Sequence, residues 1–360
     1  MDEKLKRVSA AFCLPGTYLR YEAIQVGIVN RTYRVYVRLD DGTEKSFLVQ
    51  NVNTYAFRNP IGLMNNIDLV TEHIRHKCPE KLSLHFHHTQ DRKTYLLDGD
   101  DFWRVMNYIP SATYSATTDP LILRNAGRAF GEFQTQLMDF DINLLVETIP
   151  NFHNTRKRYE SLDEAIAADA AGRVASAQEE IAYIQSIRDV ACTLTDMGRD
   201  GRLPLRVTHN DTKINNVLFD EKTNDSLVVI DLDTVMPGLM GHDFGDAIRF
   251  AANFVAEDSP EYDKVGVDLN VFTAFAQGFL EKTGASMTQS ELDTLALSCV
   301  CLTAELVVRF LDDYLRGDLY FKTNYPEHNL VRTRNQIALC KDMMKHLDEM
   351  DAIVHNCVQA

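Results

Sequence analysis

No two cysteines have the CxxC spacing of a zinc or redox motif, and no run of basic residues stands out in the chain. The seven cysteines are scattered, at 13, 78, 192, 299, 301, 340 and 357. An odd number with no pairing pattern argues against a disulfide framework. Cys299-Val300-Cys301 lies in an apolar stretch that reads as helix, where positions two apart face different sides, so buried free thiols are expected there. The net charge is −15, which excludes a broad nucleic-acid footprint, because that needs a basic stripe. No segment offers the ~18 uncharged apolar residues of a membrane span. The opening MDEKLKRVSAAF has neither a long apolar core nor a small-residue cleavage site, so it does not read as a secretory signal. A reducing, cytoplasmic setting fits these absences. No repeat, low-complexity tract or GxxxxGK[ST] phosphate loop occurs.

What is present is the mixture of an ordinary globular protein, 45% hydrophobic and 25% charged over 360 residues, about two domains by length. The first hundred residues are β-rich. Residues 31–39 alternate aromatic and β-branched side chains, Asp40-Asp41-Gly42 signals a turn, and 46–52 reads as the return strand. Residues 61–77 have helical apolar spacing, and 93–97 and 102–108 are short strand candidates. Pro110 ends that pattern. Beyond it the chain turns helical, over 121–140, in two patterns within 158–198, over 295–315 with Gly317 as the stop, and over 335–354. One β interruption, at 205–208, 216–219 and 227–232, sits inside this half. The expected fold is α+β and bilobal, like a protein kinase. It has an antiparallel-sheet N-terminal lobe over 1–108 that would bind nucleotide, a hinge at 109–114, and a mainly helical lobe over 115–360 carrying the catalytic loop and acceptor site.

The β interruption carries the chemistry. Thr208-His209-Asn210-Asp211-Thr212-Lys213-Ile214-Asn215-Asn216 places an aspartate five residues ahead of an asparagine. The catalytic loop of protein kinases, H-R-D-x-x-x-x-N, has the same spacing, with Asp as base and Asn on the metal. Val228-Val229-Ile230-Asp231-Leu232-Asp233 then delivers a carboxylate at the end of an apolar run. Mg²⁺ prefers hard oxygen donors and few protein ligands beside phosphate and water. Asp211 is therefore the candidate catalytic base or hydroxyl positioner, and Asn216 and Asp231 are the candidate metal ligands. His209 is expected to prop the loop by hydrogen bonding.

On the nucleotide side, residues 25–32, with a single glycine, form a thin candidate phosphate cover that includes Asn30. Gln50 stands where protein kinases keep a lysine for the α- and β-phosphates. Met106 and Tyr108 lie in the candidate adenine-facing hinge. Lys45 and Lys213 are candidates to supply the missing charge. His85-Phe86-His87-His88 has no companion ligand cluster and reads as a polar strand or loop.

Gly241-His242-Asp243-Phe244-Gly245-Asp246-Ala247-Ile248 resembles the G-D-P-x-x-D-L-A block of the aminoglycoside phosphotransferase and choline kinase family, small-molecule kinases with a protein-kinase-like fold. The resemblance implies that Asp246 supports the catalytic loop; Asp243 reads equally well as a solvated carboxylate. It narrows with Arg206 to Lys213, Ile230 to Thr234 and Tyr325-Pro326-Glu327-His328-Asn329-Leu330-Val331-Arg332-Thr333-Arg334, which look like the N-acetylhexosamine 1-kinases of that family. These phosphorylate the anomeric hydroxyl of GlcNAc or GalNAc with ATP and Mg²⁺, and they too lack the lysine at the position of Gln50. The resemblance spans essentially the whole chain. It implies an acceptor held by Asn210, Asp211, Arg309 and Tyr320. Arg supplies a fork of donors and Tyr an apolar face with a hydroxyl. Arg309 could instead pair with Glu305 or Asp313. The expected partners are a small sugar and ATP, with no nucleic acid or membrane, and no protein partner is inferable. Two other readings stay open. One is a kinase for another hexose, an amino alcohol or an aminoglycoside, whose polycation Arg309 disfavours. The other is a non-catalytic nucleotide- or sugar-binding pseudokinase, which Gln50 favours and the retained Asp211, Asn216 and Asp231 disfavour.

Overall fold

The computed structural model describes residues 1–24 and 29–359. The chain is a mixed α+β protein that divides into two compact units. The first is made of 1–112, 139–150 and 230–237, and the second of 113–138, 151–229 and 238–360. Two segments of the stretch expected in the helical half, 139–150 and 230–237, thus belong to the first unit, and Asp231 with them. Composition could not reveal this, because both segments are short and join their unit by packing rather than by sequence neighbourhood.

The first unit opens with α1 (Asp2–Ala11), followed by β1 (Thr17–Ile24), β2 (Arg31–Arg38) and β3 (Glu44–Val52). Then come α2 (Pro60–Lys77), β4 (Leu96–Asp98) and β5 (Asp101–Asn107). The strands form one antiparallel sheet in the order β1-β2-β3-β5-β4. Period-two alternation gives it an apolar face, where Tyr33, Val35 and Val37 of β2, Phe47 and Val49 of β3, and Trp103 and Val105 of β5 are buried with Leu5, Val8 and Phe12. The helix that covers this face was not expected; positions 5, 8 and 12 share one helical side, but the charges around them hide it. The turn at 40–42 forms as expected, with Gly42 at φ 82° and Asp41 accepting from the Thr43 N–H at 2.9 Å. α2 starts on an Asn59 cap, its side chain accepting from Gly62 N–H. The opposite face of the sheet is polar at its centre, where Thr32, Gln50 and Arg104 lie directly opposite one another on three neighbouring strands.

In the second unit the helices are α3 (Pro120–Gln136), α4 (Thr155–Ala168), α5 (Gln178–Ser186), α6 (Arg188–Ala191) and α7 (Thr193–Arg199). The two helical patterns expected over 158–198 are thus four shorter helices. After them come β6 (Arg206–Thr208), β7 (Val217–Phe219) and β8 (Ser226–Val229), and β9 (Met236–Gly238), along which the chain returns from the first unit. β7 and β8 pair as a small antiparallel hairpin. The remainder is α8 (Met240–Ala251), α9 (Leu269–Thr283), α10 (Gln289–Arg316), α11 (His328–Lys345) and α12 (Leu347–Gln359). The single helix expected over 335–354 is broken at His346.

α3 and α9 cross closely because Gly278 has no Cβ: one built there would sit 1.9 Å from the Arg124 carbonyl oxygen. α10 is long and apolar enough to cross a membrane, yet 83% of its most apolar stretch is buried inside the protein, as befits a core helix. Cys299 and Cys301 are free and buried in it. A Thr288 capping box starts α10 and Gly317, at φ 94°, ends it.

Candidate active site

The loop between β6 and β7 is built on buried polar contacts. His209 is fully buried, with the rings of Phe130 and Phe133 of α3 edge-on to it at 5.7 and 6.0 Å. Its Nδ1 accepts from the Asp211 N–H at 3.3 Å. The carboxylate of Asp243, on α8, accepts from the backbone N–H of His209 at 3.0 Å and of Asn210 at 2.8 Å, and from the Gln134 amide. Thr212 donates to the Asp243 carbonyl. Asp243 is therefore a buried loop support and not a solvated carboxylate. Burial pushes its carboxyl up from the usual value, against the pull of His209 and the two N–H donors.

This scaffold presents Asp211. Its side chain keeps 29% of its surface, and Oδ1 accepts from Lys213 Nζ at 2.7 Å. The Asn216 amide donates to the Asp211 carbonyl at 2.8 Å and to Oδ2 at 3.3 Å. With its NH₂ turned to Asp211, the Asn216 side chain leaves its carbonyl oxygen to face elsewhere. That is a hard donor of the kind Mg²⁺ takes, and Asp231, an exposed carboxylate in the left-handed conformation (φ 61°, ψ 55°), is another. The donor chemistry of both residues fits a divalent metal. Burial works against the Lys213 ammonium, but Asp211 and then Asp246 outweigh it and hold its pKa above the ordinary lysine value. Asp246 is itself buried against Arg249, 2.8 Å away. Of the two carboxylates in the 241–248 block, then, Asp243 holds the backbone of the loop, while Asp246 acts on it electrostatically, through Lys213.

Asn210 is left-handed, at φ 64°, and its amide is folded onto Thr208, accepting from Oγ1 at 3.0 Å. Its carbonyl accepts from His153 Nε2 at 3.3 Å, and the other ring nitrogen of His153 meets Glu305 of α10 at 2.9 Å. Thr155 donates to the second Glu305 oxygen at 2.8 Å. With an acceptor on each side, both ring nitrogens of His153 are placed to donate, as in the protonated ring. Burial opposes that charge, but Glu305 outweighs burial and raises the His153 pKa. Burial likewise opposes ionisation of Glu305, and His153 overcomes it, holding the carboxylate down to about 2. This chain of hydrogen bonds was not legible in the sequence, because its members are far apart in the chain.

Arg309 stands one helical turn beyond Glu305, on the same side of α10. Glu305 and Asp313, its two candidate partners, are otherwise engaged. Glu305 is taken by His153 and Thr155, and the buried Asp313 accepts from the N–H groups of Leu319, Tyr320 and Phe321. Among the described residues Arg309 makes no hydrogen bond or ion pair; its guanidinium lies 5.5 to 6.0 Å from the rings of Phe152, Tyr320 and Phe321. Tyr320 is 72% exposed. The 325–334 stretch supports this loop from below, where the fully buried Asn329 donates to Asp313 and Asp318 at 2.8 Å each.

In the first unit, four positions were expected on the nucleotide side. Residues 25–28 of the candidate phosphate cover lie outside the described residues. Asn30 donates to Asp233 at 2.7 Å and accepts from the Asn53 N–H at 3.0 Å. Gln50 accepts from Arg104 Nε and donates to Thr32, both at 2.9 Å. Both amides are thus used inside the unit. Met106 is buried in β5, and Tyr108 follows where the sheet pairing stops, its ring 3.7 Å beneath the Arg34 guanidinium. Lys45 lies over Phe47 at the far end of β3.

Comparison with known proteins gives the same outline. Residues 22–273 match the family model described as the phosphotransferase enzyme family. An aminoglycoside phosphotransferase from Alicyclobacillus acidocaldarius superposes with TM-score 0.63 at 12% identity, covering 97% of this chain and 96% of that one. A microcompartment-associated aminopropanol kinase gives 0.60 at 14% identity over 96% and 98%. An ethanolamine kinase from Plasmodium vivax gives 0.54 at 12% over 87% and 80%. At such identities the likeness is one of fold.

Proposed function

The chain belongs to the phosphotransferase enzyme family, and from that premise we propose that it transfers a phosphoryl group from ATP to the anomeric hydroxyl of a free N-acetylhexosamine, giving the sugar 1-phosphate. The observation that carries the reading is the setting of Asp211. Its partly buried carboxylate is held on one oxygen by Lys213 and on the other by Asn216, on a loop whose backbone is pinned from below. Transfer of a phosphoryl group asks the protein mainly for positioning and charge. Asp211 orients the acceptor hydroxyl and takes its proton. The anomeric hydroxyl is more acidic than other sugar hydroxyls, which eases that step. Lys213 fixes the carboxylate and adds a positive charge beside it. Asn216 and Asp231 would hold a divalent metal, Mg²⁺ in this reading, which when bound neutralises charge on the phosphates.

The acceptor side takes a neutral polar ring. Arg309 offers donors that nothing in the described protein uses, and Tyr320 offers an open aromatic face. Asn210 shapes this side through its backbone as well as its amide. Met106 and Tyr108 lie on the side given to the base of the nucleotide, and Asn30 and Gln50, whose amides are engaged with Asp233, Asn53, Thr32 and Arg104, would shape its phosphate side through those neighbours. The names of the structural relatives favour a second reading, a small amino alcohol as acceptor; the Arg309 guanidinium, which makes no ion pair among the described residues, opposes it. A coupled ADP-release assay with GlcNAc, GalNAc, glucose, galactose, ethanolamine and aminopropanol decides between them. The N-acetylhexosamines are expected to give the highest kcat/KM, and turnover only with amines would refute the sugar reading.

A further inference from the structure

Gln50 leaves a question open. A kinase site that lacks the strand lysine has lost a charge, and the Gln50 amide is already spent on Thr32 and Arg104. The register shows where a cation stands instead. Arg104 on β5 lies directly opposite Gln50, on the same face of the sheet. Its fork closes on both oxygens of Asp233, Nη2 reaching Oδ2 at 3.1 Å and Nη1 pairing with Oδ1. Both partners are almost completely buried, at 2% and 4% exposure. Asn30 adds a third donor to Asp233 at 2.7 Å, so the carboxylate is satisfied from three sides.

A buried ion pair is a weak source of stability, and its best-attested use is to fix one arrangement among several. Here the arrangement is that of the turn at Leu232–Thr234, which begins one residue after Asp231. Asp231 is left-handed at φ 61°, a conformation that persists in a non-glycine residue only when its surroundings over-determine it. Each of the three Arg104 nitrogens already has a partner, Nε on Gln50 and both Nη on Asp233.

We propose that Arg104 is a positioning residue, clamped by Gln50 and locked onto Asp233 so that the 232–234 turn aims the Asp231 carboxylate at the metal. The charge missing from β3 has moved one strand over and acts on the metal ligand instead of on the nucleotide. This rests on the kinase reading, in which Asp231 is a metal ligand.

The test uses Mn²⁺ as the probe metal, with binding to the full chain in the presence of ADP followed by electron paramagnetic resonance. The variants are Arg104→Lys, Asp233→Asn and the double apolar replacement Arg104→Met/Asp233→Leu, which removes the pair without stranding a buried charge. Loss of a partner that orients a metal ligand typically weakens metal binding by about 10- to 100-fold. That loss is expected in every variant that folds, with a matching rise in the Mg²⁺ concentration for half-maximal turnover and an acceptor KM within about twofold of wild type. If the folded double variant binds Mn²⁺ in the presence of ADP as tightly as wild type, the inference is wrong and the kinase reading stands. If the wild-type protein itself binds no Mn²⁺ with ADP, both fall.

Discussion

Asp211 is held, not merely present. Lys213, Asn216 and the His209 ring each touch either its carboxylate or its backbone. Replacing it with asparagine keeps its size and removes its capacity to take a proton. Asp211→Asn is therefore expected to lower kcat about a hundredfold or more, the scale of lost acid–base help, with nucleotide affinity by calorimetry close to wild type. Full turnover in that variant would remove Asp211 from the role given to it. The residues of this loop were legible in the sequence because their spacing, Asp to Asn over five positions, is local. The residues that hold them were not. Asp243 lies more than thirty positions from the backbone it supports (33 and 34 positions from Asn210 and His209), and nothing in its neighbourhood separates a buried support from a solvated carboxylate.

At the scale of elements, α10 organises the side on which the acceptor is proposed to sit. One face of it delivers Glu305, which reaches the Asn210 carbonyl through His153, and one turn later Arg309. The buried pair gives stability a definite pH dependence. The pKa of Glu305 is lower in the folded protein than its ordinary 4.5, so its contribution is present above about 4.5 and fades as the pH falls toward about 2. The pKa of His153 is raised above 6.5, so its contribution is complete below that value and is lost as the pH rises through the folded one. The excess thermal stability of wild type over the double variant His153→Gln/Glu305→Gln should therefore be greatest between pH 4.5 and 6.5 and shrink on both sides. A difference that does not vary with pH would show that the pair does not titrate on unfolding. Elements with a plain apolar period were legible, as with α2, α3 and the β2–β3 hairpin. α8 was not expected, although His242, Asp243, Asp246 and Arg249 recur at helical spacing: that polar side is buried against the rest of the protein and not solvated. The break at His346 left no proline or glycine to announce it.

For the whole molecule, the pattern of sheet followed by helices was enough to give the α+β class, because alternation and helical spacing are properties of long stretches. The same fold serves kinases named for very different acceptors, so the fold alone does not choose the acceptor. In the proposed reading that choice belongs to a few side chains, among which Arg309, with no hydrogen bond or ion pair among the described residues, and the open Tyr320 would favour a neutral, hydroxyl-rich ring. The most direct measurement is ³¹P and ¹H NMR of the product formed from ATP and GlcNAc. A phosphorus signal coupled to the anomeric proton, with ADP formed in equal amount, is the predicted result. Phosphate on any other carbon, or ADP formed with no sugar phosphate, would contradict it.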